Sequence, residues 1–374
     1  MLSRIYIDNF RCLVNFELRL NGLNLLLGDN GSGKTTVFDV LQRLQRFVTD
    51  RARLNTVFPP QDLTRWQSSG RQRFELDLQV RNAAYTYSLD VEHAEDLRRV
   101  RIGCEKLLMD GLPLFELNVE GSEATAQLYH DDFQPGPRYP FDWSQSGVGS
   151  LPERPDNKNL TTFRRELKRL IIAAPCPPLM LNESREEEDV LSGHMENFVS
   201  WYRWLLQEHQ DGVFSVYREL SKILPGFTSF SLKEAGENTR VLKALFQRPS
   251  EKGKKAISFD FSELSDGQRE LVVLYTTAFG LANEGLHLFL DEPDNYVDLR
   301  EIQPWLALLA ASVGESIEQV VLISHHPEVI DYLAGSGGRW FERDSVGPTR
   351  VSDKPKAQVE GLKTSETIAR GWEK

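Results

Sequence analysis

Between an apolar run that ends on glycine and a stretch of helical periodicity, Gly28-Asp29-Asn30-Gly31-Ser32-Gly33-Lys34-Thr35 fits the pattern G-x-x-x-x-G-K-[ST]. The flanks carry as much information as the pattern. NLLLG (24–28) reads as a buried strand, and Val37, Phe38, Val40, Leu41, Leu44, Phe47 and Val48 recur at helical spacing, which predicts a helix from about Lys34 to Thr49. A strand, a glycine-rich turn and a helix N-terminus together make a phosphate cradle. Backbone N–H groups of Gly28, Asn30, Gly31, Ser32 and Gly33 can curl around a β-phosphate, Lys34 reaches the β/γ oxygens, and the Thr35 hydroxyl ligates Mg²⁺, with Thr36 beside it. A chance match in a chain of 374 residues would arise about one time in a hundred at ordinary residue usage. ATP with Mg²⁺ is the expected ligand.

A second constellation lies far along the chain. Leu286 to Leu290 form an apolar strand that ends in Asp291 and Glu292. An acid at the end of a buried strand is costly without a cation. Asp291 is therefore the candidate to hold Mg²⁺, and Glu292 to polarise the attacking water, a role worth about two to four powers of ten in rate.

Strand, helix, strand, helix in the last third marks a parallel α/β sheet: LHLFLDEP (286–293), a helix through WLALLAASVG (305–314), QVVLISHH (319–326), then a short helix opened by Pro327. A helix over 269–285 precedes them. RIYIDNF (4–10) and NFELRL (15–20) alternate, and from Phe74 to about Tyr129 the period is two, with a turn at 110–113, which predicts antiparallel strands. Residues 131–159, rich in Pro, Gly, Asp and Ser, read as a long surface loop, and helical patterns run through 161–172 and 194–224.

Composition narrows the class. An apolar content of 40% supports a full core, no apolar run is long enough to cross a bilayer, and the start shows no signal-peptide pattern, so a soluble cytoplasmic chain is expected. Cys12, Cys104 and Cys176 are widely spaced, without the pairing that a zinc site or disulfide framework needs. A net charge of -11 argues against coating nucleic acid with the whole surface. Local basic stretches stand out: Arg43, Arg46, Arg51, Arg53, Arg65, Arg71, Arg73 and Arg81 fall among four carboxylates, and Arg164, Arg165, Lys168 and Arg169 follow later. Solvated faces and local nucleic-acid-binding patches are both open readings of them. The acidic run 186–189 reads as an exposed loop or helix start.

Leu264-Ser265-Asp266-Gly267-Gln268 resembles the LSGGQ signature of ABC-type ATPases, with Asp266 where that family has glycine. The resemblance implies an α/β fold of ABC-type P-loop NTPase kind: a mixed or parallel core sheet, an antiparallel β subdomain and a helical insertion. It implies a head over 1–340, comprising a phosphate-loop lobe (1–50), the antiparallel subdomain (74–130), the helical insertion (160–250) and a lobe carrying signature, acidic strand and histidine (260–335), followed by a tail over 341–374. Ser265, Gly267 and Gln268 would meet the γ-phosphate of ATP bound by a partner copy, so a homodimer sandwiching two ATP is implied, with higher oligomers allowed. Residues 293–298 resemble the family's D-loop, its aspartate matched by Asp298; His325 fits the switch histidine, with His326 as the competing assignment; Gln61 is the candidate for the Q-loop glutamine.

The strip IYIDNFRCLVNFEL followed by LLLGDNGSGKTT resembles the RecF/SMC/Rad50 and OLD-like branch, in which Arg11 matches an arginine near the nucleotide. Residues 36–263 hold neither a long coiled coil nor a CxxC hook, and 327–374 are too few for an appended Toprim nuclease domain. What remains resembles compact ATPases of bacterial antiphage defence. That implies an ATP-switched dimer that senses or clamps DNA or an invader-derived trigger and controls a separately encoded effector such as a nuclease. A RecF-like DNA-repair ATPase is the alternative, and an ABC transporter motor a more distant one.

Overall fold

The computed structural model describes all residues except 95–98, 122, 248–255, 282–283, 356–360 and 373–374, together with the backbone alone of Leu299. Its contacts divide the chain into two compact units: unit 1 holds residues 1–170 and the described part of 336–357, unit 2 holds residues 171–335 and the described part of 358–372.

Unit 1 opens with β1 (Leu2–Asp8), β2 (Phe16–Arg19) and β3 (Leu23–Gly28), then α1 (Lys34–Thr49) and the short α2 (Leu54–Val57). The stripe read from the sequence is the buried face of α1: Val37, Phe38, Val40, Leu41, Leu44, Phe47 and Val48 are all buried. Phe58 stacks on Phe74 with ring centroids 4.5 Å apart and meets Phe47 edge-on, so the helix seals one face of the sheet that follows. That sheet adds β4 (Arg71–Val80), β5 (Ala83–His93), β6 (Val100–Met109), β7 (Leu112–Glu120), β8 (Glu123–Tyr129) and β9 (Pro135–Pro140), in the order β2-β1-β4-β5-β6-β7-β8-β9. Alternation along β4 and β5 puts Phe74, Leu76, Leu78, Tyr85, Tyr87 and Leu89 inside, as the period of two requires.

Residues 131–159 are more ordered than a surface loop. They contain β9, the short α3 (Gly147–Ser150) and the start of α4 (Lys158–Lys168). Two carboxylates organise them. Buried Glu105 accepts from the Tyr87 hydroxyl at 2.9 Å, the Ser146 hydroxyl at 2.5 Å and the Gly147 N–H at 2.7 Å. Asp131 accepts from the N–H groups of Lys158 and Asn159 at 2.9 and 2.8 Å, capping α4 from outside its own sequence. The helix expected to reach residue 172 ends at Lys168, and the β-branched Ile171 and Ile172 enter β10 (Leu170–Ala173) instead.

In unit 2, β11 (Glu183–Ser184) is followed by α5 (Phe198–Glu208) and α6 (Gln210–Ile223), two helices where one span over 194–224 was expected; His209 breaks them with an extended φ of -134°. The helical insertion expected over 160–250 departs further. β12 (Phe227–Glu234) and β13 (Arg240–Phe246) form an antiparallel pair, extended by β14 (Ile257–Asp260), because FTSFSLKE alternates at strand period; residues 248–250 of that expected span lie outside the described residues.

Then come α7 (Asp266–Phe279), β15 (Leu286–Asp291), α8 (Leu299–Ser312), β16 (Ile317–Ile323) and α9 (Pro327–Gly337). β15 pairs with β16 in parallel and neighbours β10. α7 stops at Phe279 rather than 285, and residues 282–283 lie outside the described ones.

The chain returns to unit 1 through β17 (Gly338–Glu342), which lies parallel to β3, and β18 (Arg350–Ser352), antiparallel to β17. Residues 341–352 therefore belong to a sheet, where the sequence suggested a tail; WFE and RVS were too short to read as strands. α10 (Thr364–Ala369) is tied into unit 2 by Ser365, whose hydroxyl donates to Asp331 at 2.9 Å. Parallel and antiparallel sheets with flanking helices make this the α/β class read from the sequence. Among the described residues no helix is long and apolar enough to cross a membrane.

Candidate functional site

In unit 1, β3 delivers Gly28 to the turn and α1 carries Lys34 away from it. Gly28, Gly31 and Gly33 have φ of +141°, +77° and +101°. Gly33 is the least replaceable: besides its left-handed backbone, a Cβ there would lie 2.8 Å from Thr349 Oγ1 and 2.9 Å from Cys12 Sγ. The loop is also braced from behind. Thr349 Oγ1 donates to the Ser32 carbonyl at 2.7 Å, and Arg343 donates to the Gly31 carbonyl at 3.0 Å while lying over the Trp66 ring. The carbonyls of Gly31 and Ser32 are thus held from outside the loop, while the Ser32 N–H closes a turn on the Asp29 carbonyl at 3.1 Å.

Lys34 is almost fully buried, its ammonium on the carbonyls of Gly28 at 2.7 Å and Asp29 at 3.0 Å. Ser32 is buried too, and among the described residues its hydroxyl oxygen has no hydrogen-bond partner. A buried cation at a helix N-terminus beside an unsatisfied hydroxyl fits a bound oxyanion. Asn30, Thr35 and Thr36 occupy the same loop and first turn, with Thr36 Oγ1 3.9 Å from Cys12 Sγ. Arg11, at φ +46°, pairs with Asp62 at 2.7 Å and Asp39 at 2.8 Å, and Arg43 bridges the same two carboxylates. Gln61 is exposed on the turn Pro60–Asp62.

In unit 2 the signature strip opens α7. Ser265 is its N-cap: its hydroxyl accepts from the Gln268 N–H at 3.2 Å, and Gln268 Oε1 accepts from the Ser265 N–H at 3.1 Å. Asp266 does not stand as a bare charge at this helix end, because Arg269 on the next turn pairs with it and donates to the Pro177 carbonyl at 2.6 Å. A Cβ on Gly267 would come within 2.7 Å of the Tyr296 carbonyl, so the turn after the acidic strand packs on the signature helix backbone to backbone.

β15 is buried up to Leu290, and Asp291 and Glu292 emerge at its end half-buried. Glu292 has φ +49°, a conformation that costs a non-glycine residue about 1 kcal/mol or more and turns the chain out of the sheet. Its N–H still donates to the Ile323 carbonyl at 2.8 Å, and its carboxylate accepts from Asn295 Nδ2 at 2.7 Å. Asn295 is thus the orienting partner of Glu292, whereas the sequence placed it only within the strip that resembles a D-loop.

The histidine pair separates by environment. His326 Nδ1 accepts from the Glu328 N–H at 3.2 Å and caps the first turn of α9, while His325 is exposed at the end of β16. Asp298 caps α8, accepting from the Arg300 N–H at 3.0 Å.

Two acids the sequence did not single out are buried beside these groups. Glu270 in α7 is fully buried, neither carboxylate oxygen has a partner among the described residues, and burial followed by the charge of Asp294 pushes its carboxyl up to about 8. Asp294 is also pushed up by burial, opposed by the Ser324 hydroxyl and by His326. One signal was available: Glu270 interrupts a helix whose next eight residues, Leu271 to Ala278, are all buried.

Residues 1–97 match the family model described as AAA ATPase domain. A stretch of 41 residues is 49% identical to the DNA replication and repair protein RecF of Shewanella loihica, spanning 11% of this chain and 11% of that protein. Among solved structures, the SMC head bound to the C-terminal winged-helix domain of ScpA is similar over 98% of this chain and 99% of its own, at 11% identity and a TM-score of 0.56. An SMC head with an extended coiled coil, bound to the C-terminal domain of ScpA derived from Pyrococcus furiosus, is similar over 100% and 98%, at 10% identity and a TM-score of 0.50. The chain thus has a fold similar to that of SMC heads, with its phosphate loop inside the stretch that matches the AAA ATPase domain and a short stretch similar to RecF.

Proposed function

We propose that this protein is an ATP-driven dimeric switch, in which each triphosphate is held by the phosphate loop of one copy and the signature helix of another. One observation carries this reading: the chain presents two separate helix N-termini of phosphate-binding character, the uncapped α1 behind the glycine loop in unit 1 and α7, capped by Ser265, in unit 2. Lys34 neutralises the β/γ oxygens; Ser265, Gly267 and Gln268 offer a hydroxyl and N–H groups to the γ-phosphate of the partner's ATP. Thr35 and Asp291 are the groups that would hold Mg²⁺, which neutralises phosphate charge when bound. Glu292, oriented by Asn295, accepts a proton from the attacking water, and His325 hydrogen-bonds the γ-phosphate. Arg11 and Asp298 sit at the edges of these groups, Asp298 linking the two sites of the dimer.

In this reading the closed dimer grips DNA or an invader-derived trigger in the cytoplasm and controls a separately encoded effector such as a nuclease, as in antiphage defence. The local identity to RecF supports a second reading, a DNA-repair ATPase without an effector, which strong preference for gapped DNA would favour. A transporter motor would require co-purification with a membrane protein. The deciding experiment is the molar mass of the Glu292→Gln protein with and without ATP and Mg²⁺. ATP-dependent doubling that Lys34→Ala abolishes is expected; a mass that ATP leaves unchanged removes the switch.

A further inference from the structure

At the opposite end of α1 from the phosphate loop lies a small basic pocket in unit 1, a cavity of about 250 Å³ lined among others by Arg51, Thr161, Arg164, Arg165 and Lys168. The helix has 16 residues, so about 24 Å of axis separates the two places. The pocket is built by close packing. Gly149 of α3 lies so near α1 that a Cβ would come within 2.3 Å of the Val48 carbonyl. That approach presents the α3 carbonyls to two guanidiniums: Arg164 donates to Leu151, to Gly149 at 3.3 Å and to Val148 at 3.5 Å, and Arg51 donates to Gly149 at 3.3 Å.

Both arginines are thus fixed by neutral acceptors, and among the described residues neither has a carboxylate within ion-pair distance. Burial and the neighbouring Arg51 charge both disfavour the cationic form of Arg164, with Glu153 opposing them. Glu153 lines the pocket too, yet it is highly exposed and reaches Arg165 only at 3.6 Å. Arg51 holds its position at φ +54°, a left-handed backbone that an arginine rarely adopts. Converging cations in a concavity smaller than the about 300–1,000 Å³ of drug-sized sites match a compact oxyanion.

We propose that this pocket is a second anion site, which binds a phosphate group through Arg51, Arg164, Arg165 and Lys168. The competing explanation is structural: the cations complement the C-terminal ends of α1 and α4, and Arg164 caps α3. The two differ in what Arg51→Gly does. Glycine accepts the left-handed backbone without strain, so that variant removes the charge while sparing the fold.

The experiment is equilibrium dialysis of radiolabelled inorganic phosphate against the full chain carrying Lys34→Ala, at fixed ionic strength, so that the nucleotide loop does not contribute. One phosphate per chain is expected, with affinity reduced about tenfold to a hundredfold by Arg51→Gly and by Lys168→Gln, as loss of a charge-assisted contact implies, and with the melting temperature in phosphate-free buffer unchanged. Displacement by a nucleoside monophosphate, or by a 5′-phosphorylated oligonucleotide but not its 5′-hydroxyl form, identifies the source of the same group. Absence of saturable binding, or binding that both variants leave intact, overturns the proposal. A fall in melting temperature without a change in phosphate affinity assigns the cluster to helix capping instead.

Discussion

Asp294 adds its charge to the burial that keeps the Glu270 carboxyl protonated, so the signature helix and the turn after β15 meet through two buried acids, with the Ser324 hydroxyl and His326 beside Asp294. In the unfolded chain Glu270 releases its proton near 4.5, whereas in the folded protein it does so near about 8. Between those values the native state holds a proton that the unfolded state has lost, so stability is full below about 4.5 and declines as pH rises through about 8. Glu270→Gln should flatten this decline, on the order of a few kcal/mol, and be more stable than the native sequence at pH 8.5 but not at pH 5. Urea midpoints at the two pH values check it; parallel curves would show that Glu270 ionises freely.

Asn295 should set the rate through Glu292. With Asn295→Ala the carboxylate loses the partner at 2.7 Å, and kcat should fall about tenfold, as expected for a misoriented general base, while KM for ATP stays within twofold. Steady-state hydrolysis separates the two constants, and a rise in KM alone would place Asn295 in binding.

The two histidines should divide stability from chemistry. His326→Ala removes the cap on α9 and should cost about 1 kcal/mol; His325→Ala should leave the melting curve unchanged and slow hydrolysis. Thermal melts and turnover of both variants test the division, and the reverse pattern would exchange their roles.

Gly33→Ala forces a Cβ against Thr349 and Cys12 at a left-handed position. Destabilisation of about 1–3 kcal/mol is expected, along with loss of nucleotide binding. Calorimetry with ATP measures both. Ala tolerated with full affinity would mean that the loop rearranges on binding.

Much of this was legible because its signals are local. The run from Leu25 to Leu27 and the stripe Val37 to Val48 fix a strand and a helix by period alone, and the helix ends where the stripe does. The apolar run Leu286 to Leu290 is legible in the same way, whereas the signature strip and His325 were singled out by resemblance to a family. Other features depend on partners remote in sequence. Glu105 organises Ser146 and Gly147 across some forty residues, which no window on 131–159 could show. Strand β17 is short and ordinary in composition, and becomes a strand because β3 offers it a parallel ladder. Asn295 was legible only as part of a strip resembling a D-loop, and its hydrogen bond to the Glu292 carboxylate shows what it holds.

The bracing of the glycine loop by Arg343 and Thr349 has a consequence for biosynthesis. Translation delivers Gly33 early and Thr349 more than three hundred residues later, with the whole of the signature and acidic strand made in between. A nascent chain that has emerged only through unit 2 carries the glycine motif without its scaffold. The bracing contacts thus form only once the polypeptide has doubled back on its own beginning, and a ribosomal product cut short before that point lacks both hydrogen bonds to the loop carbonyls.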